Sequence, residues 1–229
     1  MVRADPVNGG IMKQLVSVLR SIALGIGAIL VVSLSSAVAA EPMEDVDYVH
    51  VPSQSPAPLH DKIEVIEFFY YGCESCNRLE PRLQSWLKTL APDISFRRVP
   101  ALRRTAWVPL ARVYFVLEQL GELDRLHAQV YRAEHEEGLN LGNLSELYDW
   151  AQKFGVDRAK LDEALNSDRL KAQVQRARDS TVAYGIRATP SFVVDGRYMT
   201  SGGMVGSLEA LLPIVDGLVD KARSTRTHK

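Results

Sequence analysis

The sequence contains two cysteines, which stand three positions apart in the motif Cys73-Glu74-Ser75-Cys76. Two thiols at this spacing can form a disulfide and pass it to other thiols, because a thiolate attacks a disulfide sulfur and forms a mixed disulfide. The motif follows an apolar run, residues 65–71, and precedes a helical pattern. The free N–H groups and partial positive charge at a helix N-terminus stabilise a thiolate there. The sequence therefore predicts a redox-active dithiol, with Cys73 as the exposed nucleophile and Cys76 as the more buried resolving thiol.

The cysteine pair has two alternative uses, a structural disulfide and a metal site. The loop between the cysteines is so short that its disulfide would restrict the unfolded chain little, which disfavours a structural role. Structural zinc needs four ligands, and the histidines that could supply them are distant from the pair in the sequence: His50, His60, His127, His135 and His228. We therefore expect no metal and no cofactor, since the exchanged electrons reside on sulfur.

A carboxylate, Glu67, interrupts the apolar run before the motif. Apolar neighbours on both sides are typical of a strand buried on both faces, where a carboxyl group has a raised pKa. Glu67 is therefore predicted to take or give the proton of Cys76. The alternative is a side chain that strand alternation points into solvent.

The start of the chain has the composition of an export signal. Basic residues precede an apolar stretch, residues 22–32, and small residues follow it. This order predicts a secretory signal peptide over residues 1–39, cleaved after Ala39; translation from Met12 would shorten its basic part. An uncleaved membrane anchor is the alternative, although the stretch is short for a span of about 20 residues. Export would place the cysteine pair in an oxidising compartment.

The remaining composition is that of an ordinary globular protein. Hydrophobic residues make up 46% and charged residues 24%, and the net charge of −1 gives no reason to expect a nucleic-acid partner. After a proline-rich arm, the periodicity predicts a β-α-β segment, then a block of helices, then a β-β-α segment. Asp195-Gly196 marks the hairpin of that last segment.

Two segments carry a resemblance to a known family. Glu67-Phe68-Phe69 begins six residues before the first cysteine, and residues 188–196 are Ala-Thr-Pro-Ser-Phe-Val-Val-Asp-Gly. In this order, behind an export signal, they resemble the DsbA family of periplasmic thiol–disulfide oxidoreductases. The resemblance implies an α/β protein, a thioredoxin fold with an inserted all-helical subdomain. It divides the chain into the signal peptide (1–39), an extended N-terminal arm (40–61), the first half of the thioredoxin fold (62–102), the helical insertion (103–185), the second half (186–222) and a C-terminal tail (223–229).

The resemblance also implies a substrate-binding loop at Thr189 and Pro190. Pro190 is predicted to be cis and to face the cysteines, so that the Thr189 backbone can pair with an extended substrate segment. A trans proline in an ordinary loop is the alternative. The aromatic residues of the helical block are expected to pack mostly in the core, with a substrate-binding surface as the alternative: Trp107, Tyr114, Tyr131, Tyr148 and Trp150.

The chain departs from the family between its cysteines, where the family usually has Pro-His and this sequence has Glu74-Ser75. The family's histidine helps to hold the thiolate. Glu74 is expected to raise the pKa of Cys73 by like-charge repulsion, and Ser75 to offer a weak hydroxyl hydrogen bond instead. We therefore predict a protein that is less oxidising than the family type.

The activity implied by the resemblance is the introduction of disulfide bonds into exported proteins with free cysteines, in the periplasm. It also implies a monomer that a DsbB-like membrane quinone reductase reoxidises. Two alternatives remain open. One is a less oxidising reductase or isomerase of the same fold, and the other is a redox-inactive, chaperone-like binding module.

Overall fold

The computed structural model describes residues 41–52 and 61–227. The predicted signal peptide and part of the predicted N-terminal arm lie outside these residues. The strands are β1 (Val49–His50), β2 (Ile63–Phe69), β3 (Ile94–Pro100), β4 (Ser191–Val194) and β5 (Tyr198–Ser201). The helices are α1 (Glu74–Leu87), α2 (Val108–Gln119), α3 (Leu123–His135), α4 (Leu144–Lys153), α5 (Arg158–Asn166), α6 (Asp168–Ala183) and α7 (Leu208–Thr227). Within the described ranges, every helix is too short or too polar to pass through a lipid bilayer.

The strands of the described residues form one mixed sheet in the order β1-β5-β4-β2-β3. β2 pairs in parallel with β3, and the other pairs are antiparallel. The crossover through α1 makes the β2–β3 pair parallel, as the β-α-β pattern predicted. The helices α2 to α6 lie in the chain between β3 and β4. The predicted α/β architecture with a helical block between the two halves of the sheet is confirmed.

Strand β2 is buried on both faces, and two hydrophobic clusters meet on it. Ile66 and Phe68 belong to the cluster formed with the helical block. Val65 belongs to the second cluster, which includes Leu83 of α1 and Val215 of α7. Complete burial of such a side chain contributes about 1.5–3 kcal/mol. Because both faces are packed, the carboxyl end of β2 is a fixed support for the cysteine motif.

The helices of the block begin and end at residue types that favour helix ends. The Asn143 side chain accepts the N–H groups of Ser145 and Glu146 at the start of α4, and the Ser167 hydroxyl accepts the Leu170 N–H in α6. Gly185 follows α6 with φ +65°, a conformation in which other residues are strained. These caps set where the helices of the block begin and end.

The hairpin between β4 and β5 turns at Asp195 and Gly196, which both have positive φ values of 54° and 60°. The buried Asp195 carboxylate pairs with Arg226 near the end of α7 and with Arg197. This contact explains why α7 continues to Thr227, into the segment that the sequence assigned to the C-terminal tail. The hairpin in turn fixes the loop that enters β4.

Candidate active site

Cys73 is the N-cap residue of α1, where the chain leaves β2. Its backbone is extended, with φ −94° and ψ 114°, and its carbonyl oxygen accepts the Asn77 N–H at 3.0 Å. The side chain is half-buried, and both cysteines are free thiols. The Cys73 thiol donates to the Thr189 carbonyl oxygen at an Sγ–O distance of 3.3 Å. The first sulfur therefore lies at a helix N-terminus and against the loop that enters β4.

The surroundings of Cys73 favour its thiolate. Its pKa is lowered from 9.0 to about 6, chiefly by a hydrogen bond from the Cys76 thiol. Burial opposes this shift, whereas the Thr189 side chain and the backbone N–H groups of Cys76 and Ser75 add to it. Cys73 is therefore mainly a thiolate at neutral pH, the form that acts as a nucleophile and as a good leaving group.

Cys76 has the opposite environment. It lies inside the first turn of α1 with 1% of its surface exposed. Burial raises its pKa well above 9.0, and the hydrogen bond with Cys73 and the charges of Cys73 and Glu67 raise it further. The two sulfurs thus differ in both access and acidity, because one lies at the helix end and the other in the core.

The lowered pKa of Cys73 predicts how the stability of the reduced protein depends on pH. A thiol whose folded-state pKa is below its ordinary value stabilises the fold at high pH, and this stabilisation is lost as the pH falls from 9 through about 6. Relative to a Cys73→Ser variant, the reduced protein should gain about 1 kcal/mol between pH 5 and pH 7, after allowance for solvent screening. Urea unfolding of both proteins in reductant at several pH values measures this gain. A difference independent of pH would contradict the lowered pKa.

The peptide bond between Thr189 and Pro190 is cis, as predicted. Pro190 is buried, and its carbonyl oxygen accepts the Gly202 N–H at 3.3 Å. The next residue, Ser191, donates its hydroxyl hydrogen bond to the Ala188 carbonyl oxygen at 2.8 Å. The loop is thus held on both sides, with the Thr189 carbonyl oxygen directed at the Cys73 sulfur.

Glu67 is buried, with 1% of its surface exposed, which confirms the predicted burial. Parallel pairing sets Glu67 beside Arg98 of β3, and the Arg98 Nε donates to Glu67 Oε2 at 2.9 Å. The same guanidinium donates to both carboxylate oxygens of Glu80, in α1, at 3.1 and 3.2 Å. A single buried cation therefore serves two buried carboxyl groups.

The two carboxyl groups differ in acidity. Burial raises the pKa of Glu67 from 4.5 to about 7, although the charge of Arg98 lowers it. Burial also raises the pKa of Glu80, but the hydrogen bond and charges of His127 and Arg98 outweigh this, and the net shift is downward. Glu80 is thus the permanent anion of the group, whereas Glu67 can hold a proton near neutral pH. Pairs of carboxyl groups with such separated pKa values are typical of acid–base chemistry.

Helix α3 adds three polar residues to this region, His127, Tyr131 and His135, at successive positions four residues apart. The Tyr71 hydroxyl and His127 Nδ1 form a hydrogen bond of 2.7 Å, and His127 Nε2 lies 3.5 Å from Glu80 Oε2. Burial lowers the pKa of His127, although the Glu80 carboxylate opposes this shift, and His127 Nε2 has no hydrogen-bond partner in the described part of the chain. The buried Tyr131 hydroxyl has no hydrogen-bond partner among the described residues, and burial and the Cys76 charge raise its pKa. One face of α3 thus supplies polar groups behind the cysteines.

The third of these residues, His135, contacts the cysteine motif itself. Its Nδ1 lies 3.2 Å from Glu74 Oε2. The net shift of the Cys73 pKa is downward, although Glu74 was expected to raise it, and the Glu74 carboxylate is paired with His135. Ser75 contributes its backbone N–H rather than the expected hydroxyl.

Four residues of this region were not identified from the sequence: Arg98, Glu80, His127 and His135. The spacing of His127, Tyr131 and His135 on one helical face was a visible signal. An arginine that follows another arginine, as Arg98 does, would ordinarily lie on a solvated face, but only 13% of its side chain is exposed. The described residues contain no cluster of three or more histidine, cysteine or carboxylate side chains placed to hold a metal ion.

The aromatic residues of the helical block divide into two groups. Tyr114, Tyr131 and Trp150 are buried, which confirms core packing for them. Trp107 is half-buried and stacks on Tyr70, with ring centroids 4.4 Å apart and an interplanar angle of 6°. The Tyr70 carbonyl oxygen accepts the Cys73 N–H at 3.0 Å, so this stacked pair lies beside the cysteine motif.

Comparison with known proteins agrees with this arrangement. A family model described as DSBA-like thioredoxin domain matches residues 93–209. The thiol:disulfide interchange protein DsbA of Azotobacter vinelandii is 34% identical over 179 residues, which cover 78% of this chain and 84% of the relative. The protein of the same name from Bordetella pertussis is 38% identical over 177 residues, which cover 77% and 84%. This chain belongs to the DsbA family.

Solved DsbA structures share the fold. The crystal structure of Pseudomonas aeruginosa DsbA has a TM-score of 0.76 and 32% sequence identity, and the match covers 81% of this chain and 96% of that one. The oxidoreductase DsbA from Xylella fastidiosa has a TM-score of 0.72 and 35% identity, with coverages of 78% and 96%. The predicted thioredoxin fold with a helical insertion is confirmed, and the chain is an oxidoreductase of the thiol:disulfide interchange type. The family model begins downstream of Cys76.

Proposed function

We propose that this DsbA-family protein introduces disulfide bonds into exported proteins through Cys73 and Cys76. The observation that carries the proposal is the contrast between the two sulfurs. Cys73 is accessible and has a pKa of about 6, whereas Cys76 is buried and has a raised pKa. A disulfide between them is asymmetric, because only Cys73 can be attacked from outside and only Cys73 leaves readily as a thiolate.

In the first step a substrate thiolate attacks the Cys73 sulfur of the oxidised protein. The bond between substrate sulfur and Cys73 forms, and the bond between Cys73 and Cys76 breaks. Cys76 leaves as a buried thiolate, which a proton from Glu67 neutralises. Glu67 suits this role since its buried carboxyl group has a pKa of about 7.

In the second step another thiolate of the substrate attacks the substrate sulfur in the mixed disulfide. The substrate disulfide forms, and Cys73 leaves as a thiolate that its hydrogen bonds stabilise. Two electrons pass from the substrate to the cysteine pair. The Thr189 backbone, 3.3 Å from the sulfur, is placed to pair with an extended substrate segment during both steps, which gives tolerance of many sequences.

The cellular setting of the proposal is supported by the signal pattern in residues 1–39 and by the DsbA relatives. The protein acts as a monomer in the periplasm on folding proteins with free cysteines. A DsbB-like membrane quinone reductase accepts the two electrons and restores the disulfide.

A redox equilibrium with glutathione tests the direction of exchange. Thioredoxin, with a cysteine pKa of about 7, has a potential of about −270 mV, and strongly oxidising family members, with a pKa of about 3.5, lie at about −120 mV. A Cys73 pKa of about 6 predicts an intermediate value between about −240 and −180 mV, since thiolate stabilisation favours the reduced form. The reduced fraction in glutathione mixtures gives this potential. A potential of about −270 mV or lower would favour the reductase, and one of about −120 mV would contradict the predicted weaker oxidant.

A further inference from the structure

His135 is the last residue of α3, and its ring lies between the backbone and the side chain of the cysteine turn. Its Nε2 lies 2.7 Å from the Tyr71 carbonyl oxygen, and its Nδ1 lies 3.2 Å from Glu74 Oε2. Only 12% of the His135 side chain is exposed, against 68% of the Glu74 side chain. The histidine is therefore the buried member of the pair, and the glutamate is the exposed one.

Both ring nitrogens of His135 face acceptors. A carbonyl oxygen and a carboxylate can only accept, and a neutral imidazole has one N–H to donate. Nε2 is hydrogen-bonded to the Tyr71 carbonyl oxygen, and Nδ1 lies within ion-pair distance of the Glu74 carboxylate. On the same helix, Tyr131 lies against the ring at a centroid distance of 6.1 Å, and the neighbouring Glu134 accepts the Leu141 N–H at 2.5 Å.

We propose that His135 is a positioning residue that pairs with Glu74 and holds its carboxylate away from the Cys73 sulfur. This inference rests on the proposed function, since it concerns the thiolate that the exchange uses. Glu74 follows Cys73 directly in the chain, and an unpaired carboxylate there opposes the thiolate. The helical block thus supplies the residue, His135, that offsets the carboxylate of Glu74 in the motif.

The expected size of the effect follows from simple electrostatics. A unit charge about 7 Å from the sulfur in a water-like dielectric changes the pKa by about 0.5 unit, or about threefold in the ratio of thiol to thiolate. His135→Gln should therefore raise the Cys73 pKa by about 0.5 unit, because the amide keeps a donor for the Tyr71 carbonyl oxygen but leaves Glu74 unpaired. The double variant Glu74→Gln/His135→Gln should return the pKa to that of the original protein, since it removes the carboxylate together with its partner.

The experiment measures the Cys73 pKa of the reduced full-length proteins from the ultraviolet absorbance of the thiolate and from the pH dependence of alkylation. His50→Gln is the matched control, since His50 Nε2 lies 3.4 Å from Glu44 Oε1 in a comparable pair. His50 is on β1, at the edge of the sheet, and β5 and β4 separate it from β2. This variant should leave the Cys73 pKa unchanged. Thermal unfolding of each variant reports whether the fold is intact.

Two results would overturn the inference. One is an unchanged Cys73 pKa in His135→Gln, and the other is a pKa that stays raised in the double variant, which would indicate disturbed packing of α3 rather than an unpaired charge. These measurements use the reduced protein without substrate. A protein that shows the predicted coupling but does not oxidise substrate thiols would therefore disprove the proposed function and leave the role of His135 intact.

Discussion

Replacing Cys73 by serine is expected to reduce the oxidation of substrate thiols to the uncatalysed background. The serine hydroxyl cannot form the mixed disulfide, and the remaining sulfur of Cys76 has 1% exposure and a raised pKa. The substrate for this measurement is a reduced, unfolded enzyme that needs its disulfides for activity. The rate at which it regains activity measures the oxidation of its thiols. This variant also separates the proposed function from a redox-inactive chaperone-like module, since a chaperone would keep its effect on aggregation. Retained oxidation in the variant would contradict the assigned nucleophile.

Cys76→Ser is the matched control, because it removes the other sulfur while the serine hydroxyl can still donate the hydrogen bond that lowers the Cys73 pKa. With oxidised glutathione it should form a stable mixed disulfide at Cys73, which mass spectrometry detects, since no neighbouring thiol resolves it. At pH 7 a thiol with a pKa of about 6 is about 90% thiolate, and one above 9 is less than about 1% thiolate. Alkylation of Cys73 in this variant should therefore be about 100-fold faster or more than alkylation of Cys76 in the serine variant. Equal rates would contradict the asymmetry of the pair.

The parts of the site that the sequence predicted are those that local chemistry determines. Two cysteines at the start of a helix pattern, after an apolar run, predict a strand, a turn and an N-terminal thiolate from neighbouring residues alone. The hairpin at Asp195-Gly196 is equally local, because a two-residue turn of this kind needs positive φ at both positions. The cis bond before Pro190 was predicted from the resemblance, since base rates favour trans.

The parts that the sequence did not predict depend on which elements meet. Arg98 becomes a partner of Glu67 because parallel pairing puts these two residues side by side, and no pattern within β3 specifies that register. Glu80 lies in a helical pattern, where a charged residue would most simply be on the solvated face. Only 4% of its surface is exposed, however. A buried charge of this kind is stable only because its partners are buried with it.

Glu74 shows how a local argument fails when the partner is distant in the chain. The like-charge argument considered the motif alone and predicted a raised pKa for Cys73. The fold brings His135 from the end of α3 to the Glu74 carboxylate, and hydrogen bonds to the sulfur lower the pKa instead. The predicted weaker oxidant remains a prediction, since it now rests on a pKa of about 6 and not on repulsion.

The second large effect is expected from Glu67→Gln, which should slow the attack of a thiol on the oxidised protein by about 100-fold near pH 6. The amide still accepts the hydrogen bond from Arg98 but cannot give a proton to the departing Cys76 thiolate, whose burial makes the charged form costly. In the original protein the rate, corrected for the thiolate fraction of the attacking thiol, should fall as the pH rises through about 7, because Glu67 then loses its proton. In the variant the corrected rate should be low and independent of pH. Stopped-flow fluorescence with a small monothiol measures both profiles.

Glu64→Gln is the matched control for this prediction, because Glu64 lies on the same strand and accepts a hydrogen bond from Arg97 Nε at 2.7 Å, as Glu67 does from Arg98. Its side chain is farther from the end of β2 that carries the cysteines, so its corrected rate should follow that of the original protein. Proton transfer by Glu67 would be contradicted if the corrected rate of Glu67→Gln equalled that of the original protein and decreased in the same way as the pH rises through 7. The buried carboxyl group would then serve only to hold Arg98 and Glu80 in place, and the proton for Cys76 would have to come from another group. Tyr131, whose hydroxyl has no hydrogen-bond partner in the part of the chain that the structure describes, would be the next residue to replace.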